Sequence, residues 1–302
     1  MRIVSLVPHA TELLFALGLD DEIVGVTHEC DYPLDALERT RVTRDVLNDN
    51  DPTQPLSAGE IDAAVRERTE KGEAIYALDN DVLEALEPDL IVTQALCPVC
   101  AVSVDDVRSV VAAFDDPPKV IALDPTTLGE TMGDIRTVAQ ATGAKEAALT
   151  LVASQRARID RVKIAVKDAE RVPVAAIEWL DPVFVGGHWV PQMIELAGGI
   201  DVLGFPGERS ETTTWDLVAA AQPEVVVLMP CGYDEEKTLE EALLFAEPLR
   251  SVGARRVVAL NGSAYFSRPG PRLIDGLELL AHVLHPDLVP DAPGVVLDVP
   301  LY

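Results

Sequence analysis

Seven runs of this 302-residue chain are apolar almost from end to end rather than alternating, and helical patterns separate them. They are Arg2–Leu6, Glu22–Thr27, Leu90–Thr93, Val120–Leu123, Val172–Ile177, Val225–Met229 and Arg256–Leu260. A strand that is apolar on both faces must be covered on both faces, which is the condition of a parallel strand between helices. The segments Thr11–Leu17, Val82–Leu86, Val104–Ala113, Leu128–Thr142, Val190–Leu196, Trp215–Ala221 and Leu273–Leu284 supply the helices. Thr11 is the expected cap of the first and Gly18 its stop. The fold class is therefore α/β with parallel sheets.

The strands fall into two groups, about 2–123 and 172–260, and the intervening Ala144–Ala169 carries neither Pro nor Gly. That segment is predicted to be one long charged helix, well beyond the mean of ~11–12 residues. It is either a long crossover helix or a rigid spacer, and a strand group on each side favours the spacer. The expected plan is an N-terminal α/β lobe over 1–143, a linking helix over 144–169, a C-terminal α/β lobe over 170–286 and an extended surface tail over 287–302. An insertion occupies about 48–77 and includes a charged helical piece, Glu60–Lys71. The halves also echo each other: "LEALEPDLIVTQ" (Leu83–Gln94) resembles "LVAAAQPEVVVLMP" (Leu217–Pro230). A cysteine loop follows each strand, with Cys97 and Cys100 in one and Cys231 in the other. Ligands of open α/β sheets sit outside the carboxyl ends of the strands, so both loops are candidate walls of one cleft.

Charge and motifs narrow the function. Asp and Glu number 51 against 24 Lys and Arg, of which six are lysine, giving a formal charge of −27. A face for nucleic acid or anionic lipid is disfavoured. A generally acidic, halophilic-like solvated surface accounts for the charge better than a patch for a basic partner. No run approaches the ~18 apolar residues of a membrane span. In "MRIVSLVPHATELLFALG" the residues Pro8, His9, Thr11 and Glu12 interrupt the apolar run, and no small-residue cleavage site follows. Four cysteines do not make a disulfide framework. The expected location is cytoplasmic with reduced thiols. A periplasmic or extracellular place would need a start upstream of Met1 or non-standard export. The chain has no phosphate-binding Gly-x-x-x-x-Gly-Lys-Ser/Thr, no Gly-x-Gly-x-x-Gly after a strand and no Gly-x-Ser-x-Gly. An ATPase, a dinucleotide-dependent dehydrogenase and an α/β-hydrolase are all disfavoured.

The segments "IVSLVPHATELLFALGL", "IVGVTHECDYP", "LEPDLIVTQ", the long central helix, "FVGGHWVPQMIELAGG" and "AYFSRPGPRLIDGLELLAHVL" follow one another in the order and spacing of a known family. From about residue 2 to 286, apart from 48–77, the chain resembles class III solute-binding proteins, the receptors for vitamin B12, haem and ferric siderophores that feed ABC importers. It is most similar to the cobalamin-binding members, in a cytoplasmic-type branch without a signal peptide. The resemblance implies two α/β lobes joined by a single long helix, a ligand held in the cleft between them, and binding without catalysis. The implied partners are a small-molecule metal chelate, namely cobalamin or another corrinoid, haem or an iron chelate, and an ABC importer. The chain departs from that pattern in its insertion, in His28-Glu29-Cys30 before "DYP", and in Gln94 where a Trp is expected.

The residues that fall in the implied cleft are His9, His28, Glu29, Cys30, Gln94, Cys97, Cys100, Trp179, His188, Trp189, Cys231, Tyr265, Phe266 and Arg268. Imidazole and thiolate donors suit zinc and other borderline-soft metals, and imidazole is a common axial ligand of haem iron. A metal set of His28, Cys30, Cys97, Cys100 and His188 would make the chain a metalloenzyme or metallochaperone instead. Each residue has a plainer alternative. The cysteines can be core packing, since cysteine is among the most buried residue types. His9 can shape the turn after Pro8, and Asp31 can hold His28. His188 follows two glycines that let the backbone approach a ligand, which favours a cleft role. The four rings can be core, or flat faces for a macrocycle. Arg268 aligns with an arginine that contacts corrin amides in the resembled receptors; otherwise it is a surface residue held by a Glu. His282 and His285 close the last helix and read as structural.

Overall fold

The computed structural model describes residues 1–47, 56–71, 73–95 and 102–301. They divide into two compact units, one of Met1–Pro125 with Met132–Val152 and one of Thr126–Thr131 with Ala153–Tyr302.

The first unit runs β1 (Ile3–Ser5), α1 (Pro8–Ala16), β2 (Ile23–Val26), β3 (Thr40–Arg41), β4 (Thr43–Asp45), α2 (Ala58–Lys71), β5 (Tyr76–Leu78), α3 (Asn80–Ala85), β6 (Leu90–Gln94), α4 (Val104–Val111) and β7 (Lys119–Leu123). Its main sheet is parallel, in the order β3-β2-β1-β6-β7. The apolar runs of β1 and β6 lie at its centre, and Val4, Leu6 and Ile91 pack with Leu83 of α3 and Val107 and Val111 of α4. Strands β4 and β5 form a separate antiparallel pair that flanks the predicted insertion. Helix α1 starts earlier than expected. Pro8 takes its first position, where a missing N–H costs nothing, and Val7 rather than Thr11 is the cap residue. Thr11 lies inside the helix and gives its hydroxyl hydrogen to Ser5 Oγ at 2.8 Å.

Helices α5 (Leu128–Thr142) and α6 (Lys145–Ala165) follow. The predicted long helix is continuous for 21 residues but stops four short of Ala169. Gly143, with φ of +84°, separates it from α5.

The second unit continues with β8 (Val172–Leu180), β9 (Val183–Val185), α7 (Val190–Leu196), β10 (Gly199–Asp201), β11 (Thr212–Thr213), α8 (Trp215–Ala220), β12 (Val225–Leu228), α9 (Glu235–Leu244), α10 (Ala246–Val252), β13 (Arg256–Ala259), α11 (Gly262–Tyr265), α12 (Leu273–Leu284) and β14 (Leu297–Asp298). Strands β10, β8, β12 and β13 are parallel, while β9, β11 and β14 join antiparallel at the edges. Ile177, Val226, Leu228 and Ala259 fill the centre of the core on this sheet. Arg158 of α6 holds both Glu278 and Asp275 of α12, which ties the two helices. Most of the expected extended surface tail is exposed or half-buried. It adds β14 to β13 and buries Val299 and Leu301.

The internal echo is visible in the backbone. Asp79 and Thr214 each cap a six-residue helix through a side-chain bond to the third N–H beyond. Eight residues after each cap, Glu87 and Gln222 take left-handed backbone with φ of 43° and 51°. A proline follows each, then an acid and the strand, β6 in one unit and β12 in the other.

Candidate functional site

The functional candidates cluster at the carboxyl ends of strands within each unit. In the first unit they surround the turn after β2. His28 receives support twice from Thr43 of β4: its N–H donates to Thr43 Oγ1 at 3.1 Å, and its Nδ1 lies 2.8 Å from the same oxygen. Tyr76 of β5 stands beside it, ring centroids 5.2 Å apart, and gives its hydroxyl hydrogen to Glu29 Oε1 at 3.0 Å. Burial holds the His28 imidazole below its ordinary pKa, with Arg41 adding to that and Asp45 opposing it. The ring is therefore a neutral imidazole near pH 7.

Cys30 differs from the metal-ligand expectation. It is 1% exposed, and its sulfur lies 3.0 Å from Thr11 Oγ1 and 3.6 Å from Thr27 Oγ1. Burial pushes its thiol pKa up against those bonds. It is a packing residue of the unit's interior. His9 is also interior: it lies in the first turn of α1 rather than in a loop, and is 4% exposed. Gln94 is the buried last residue of β6. Cys97 and Cys100 lie outside the described residues. Among the described residues no three His, Cys, Asp or Glu side chains are grouped so as to hold a metal ion.

In the second unit Trp179 and His188 lie on either side of β9, while Cys231, Tyr265, Phe266 and Arg268 follow β12 and β13. Trp179 donates its indole N–H to Asp181 O at 3.0 Å and packs against Tyr233, ring centroids 5.5 Å apart. Lys237 Nζ lies 3.8 Å from the centroid of the same tyrosine ring. Cys231 is exposed, and its backbone N–H donates to Glu178 O at 3.2 Å. His188 is half-buried and left-handed, with φ of 53°. Burial lowers its pKa, and the charge of Arg209 lowers it further. Glu178, beside Trp179, is partly buried by its accessible surface. Its carboxyl is nonetheless desolvated enough to push its pKa up to about 7, against bonds from the Ser210 hydroxyl and the Gly187 N–H.

Two of the expected aromatic faces are buried. Trp189 and Phe266 are 4% and 2% exposed, and the Trp189 indole N–H donates to Phe266 O at 2.7 Å. Tyr265 is half-buried, and one edge of its ring lies against the tail: a Cβ on Gly294 would come 2.8 Å from it. Arg268 is partly buried, and its carbonyl accepts from the Gly270 N–H. His282 and His285 each have a ring nitrogen on a backbone carbonyl, those of Val289 and Gly198.

Sequence reading missed Tyr76, Thr43, Glu178, Tyr233 and Phe205. Glu178 carried a usable signal, because it is the one charge in the run "VPVAAIEWL". A charge at the end of a buried strand needs a reason. Phe205 is 70% exposed on the loop that pairs with the His188 turn. Exposed aromatics on binding loops supply contact area.

A family model described as "Periplasmic binding protein" matches residues 3–254. A vitamin B12-binding protein of Vibrio cholerae is 23% identical over 295 residues, covering 92% of this chain and 86% of that protein. An uncharacterised ABC transporter substrate-binding lipoprotein of Bacillus subtilis is 24% identical, covering 95% and 80%. Among solved structures, a periplasmic haem-binding protein from Roseiflexus superposes with a TM-score of 0.67 at 24% identity, covering 95% of this chain and 98% of that one. The two-lobed α/β fold of class III binding proteins is thus that of this chain. The expected cytoplasmic location is overturned, because these relatives are described as periplasmic or as a lipoprotein. Among the described residues no helix is long and apolar enough to cross a membrane. With a match that spans most of its length, the chain belongs to the periplasmic binding protein family.

Proposed function

We propose that this chain captures a corrinoid or a related metal chelate as the solute-binding component of ABC-type import, and does no chemistry on it. The observation that carries the reading is the likeness to a vitamin B12-binding protein along 92% of the chain. The haem-binding relative of the same fold supports the wider class, a flat ring system around a metal. The strand-end chemistry suits that class. His188 and His28 are neutral imidazoles near pH 7, able to give a lone pair to a metal or a hydrogen bond to a side-chain amide. Trp179 and Phe205 offer ring faces, and Arg268 a guanidinium fork for carbonyl or carboxylate oxygens. No general acid or base needs to be invoked.

Titration with cyanocobalamin, dicyanocobinamide and haemin, followed by visible absorption and calorimetry, tests the proposal. The expected result is stoichiometric binding of a corrinoid with a Kd of about 1 μM or tighter. His188→Ala should weaken it about tenfold, as loss of one hydrogen bond or ligand to a charged or metal centre implies. Binding of haemin alone would redirect the ligand within the class. Binding of none of the three would reject the reading.

A further inference from the structure

The β4–β5 pair braces the turn after β2, and the manner of the bracing decides what the His28 ring can offer a solute. The turn is pinned at three successive residues. Arg41 Nη1 donates to Thr27 O, the Glu29 N–H donates to Thr27 Oγ1 at 3.0 Å, and the His28 N–H donates to Thr43 Oγ1 at 3.1 Å. The ring itself lies against Tyr76, tilted by 47°, and its Nδ1 is 2.8 Å from Thr43 Oγ1.

Thr43 is 8% exposed, and among the described residues its hydroxyl has two partners, the His28 N–H and Nδ1. The backbone N–H can only donate, so it occupies one lone pair of the oxygen. The hydroxyl hydrogen then needs an acceptor, and Nδ1 is the one it meets. With a hydrogen on Nδ1 instead, two N–H groups would point at one oxygen. The hydroxyl hydrogen, in a buried place, would be left without an acceptor, which is the costlier arrangement. Nδ1 therefore accepts, and the single hydrogen of the neutral imidazole sits on Nε2. An imidazolium would put a hydrogen back on Nδ1, so the same bond opposes protonation, in line with the lowered pKa.

A histidine that ligates a metal is held the other way round. Its second ring nitrogen donates to a carboxylate, carbonyl or water, which leaves the lone pair facing the metal. Thr43 turns the lone pair inward. The ring is half-buried, and among the described residues Nε2 has no hydrogen bond.

We propose that Thr43 is the positioning residue that fixes His28 as an Nε2–H donor, so that His28 reads an oxygen acceptor of the solute, an amide carbonyl or a carboxylate, and does not ligate its metal. The contact rests on the reading of His28 as a ligand residue; the tautomer does not.

Two measurements test it separately. In ligand-free protein at about pH 8, where the ring is neutral, long-range ¹H–¹⁵N NMR tells a protonated ring nitrogen from a bare one. With His28 assigned through His28→Gln, Nε2 should carry the hydrogen and Nδ1 should be bare. Thr43→Val should move the Nδ1 resonance and Thr43→Ser should restore it. A hydrogen on Nδ1 overturns the proposal, and the wild-type spectrum shows that even if the Val variant does not fold. An Nδ1 resonance unmoved in Thr43→Val also overturns it.

The second measurement uses aquocyanocobinamide, which offers amides and an exchangeable cobalt site, and haemin, which offers carboxylates and an open iron. For a probe that binds, His28→Ala should weaken binding about tenfold. His28→Gln, which keeps an N–H donor at similar reach, should weaken it less than threefold. The visible bands of the bound probe should be the same in all three proteins. A loss confined to cobinamide identifies an amide carbonyl as the acceptor, and one confined to haemin a carboxylate. Unchanged affinity in His28→Ala, or a change in the bands that marks a lost axial ligand, overturns the contact. Thr43→Val should weaken binding in the wild-type background and less than twofold in His28→Ala, because a residue acting only through another loses its effect when that other is gone. If neither probe binds the wild-type chain, the ligand reading fails and the contact with it, while the NMR spectrum still decides the tautomer.

Discussion

The turn at His28 and the turn at His188 both follow a strand of a mainly parallel sheet, yet their surroundings are of opposite kinds. Thr43, a hydroxyl that cannot ionise in the working range, bonds both the backbone and the ring of His28. Near the His188 turn lies Glu178, whose carboxyl pKa is pushed up to about 7 by burial. His28 has ordinary backbone, whereas His188 is left-handed. The difference teaches that two histidines which look alike in sequence can differ in how much surrounding structure they require. The first turn needs a neutral cross-brace. Around the second lie a bulge, a close glycine contact and a desolvated acid.

The contrast breaks most readily at glycine. Gly187→Ala places its methyl against backbone of Arg209 and Ser210, which cannot move aside without opening the hairpin. A loss of about 3 kcal/mol or more in urea unfolding is expected. Gly25→Ala, on the strand before the His28 turn, meets the Leu86 Cδ1 methyl at 2.7 Å, the end of a rotatable side chain. It should cost about 1–2 kcal/mol. Equal losses would show that the two turns are equally constrained.

The next effect is on pH dependence. An unfolded Glu ionises near 4.3, while Glu178 in the folded chain ionises near 7. Between those values the folded chain binds the extra proton, so this carboxyl's contribution to stability falls as pH rises from about 4.5 to about 7, and is level above that. The span is worth about 3–4 kcal/mol. Subtracting the pH–stability curve of Glu178→Gln from that of the wild type should show this decline. His28 acts with the opposite sign. Its folded pKa is depressed, so its contribution is present above about 6.5 and is lost as pH falls below it. A flat difference curve for Glu178→Gln would remove the proposed contrast in chemistry.

Thr43→Val should cost less, about 1–2 kcal/mol, since one hydroxyl serves two groups of His28 and both lose it. The His28 resonances should move and those of His188 should not. A shift at both would mean that the turns are not independently braced.

Much of this was legible from sequence where local chemistry decides. The apolar runs became strands, all but β7 inside their sheets, and the predicted ends of α5, α7 and α12 coincide with those observed. Those helices have sharp stops or strong apolar faces. The antiparallel additions were not foreseen. β9 turns back at Asp181-Pro182, a breaker pair just beyond the predicted strand, and β14 lies in a tail whose prolines suggested surface chain. Strand pairing of two or three residues is set by tertiary contact and leaves no period to read. The candidate site was partly legible. His28, Trp179 and His188 stand at strand ends as predicted, because a post-strand position follows from strand order. Burial did not follow from order. Cys30, Trp189 and Phe266 lie in the same segments but point inward, and one residue's register decides that. Glu178 was missed because a bulge, not the alternation, sets its direction.

The smallest expected effect concerns the two cysteines of the comparison, Cys30 in the first unit and Cys231 in the second. Cys231 is exposed, whereas Cys30 is enclosed with its thiol pKa raised. The thiolate is the reactive form, so both access and ionisation protect Cys30. Iodoacetamide labelling read peptide by peptide should modify Cys231 in the native protein. Cys30 should react at least a hundredfold more slowly, at a rate that rises only with unfolding denaturant. Cys30→Ala should cost only about 1 kcal/mol, since the loss is one sulfur's packing and two weak bonds to Thr11 and Thr27. Corrinoid or haemin affinity should be unchanged, because the sulfur faces hydroxyls inside the unit. Native labelling of Cys30 as fast as Cys231, or a tenfold loss of probe affinity in Cys30→Ala, would return this thiol to the ligand set from which its burial removes it.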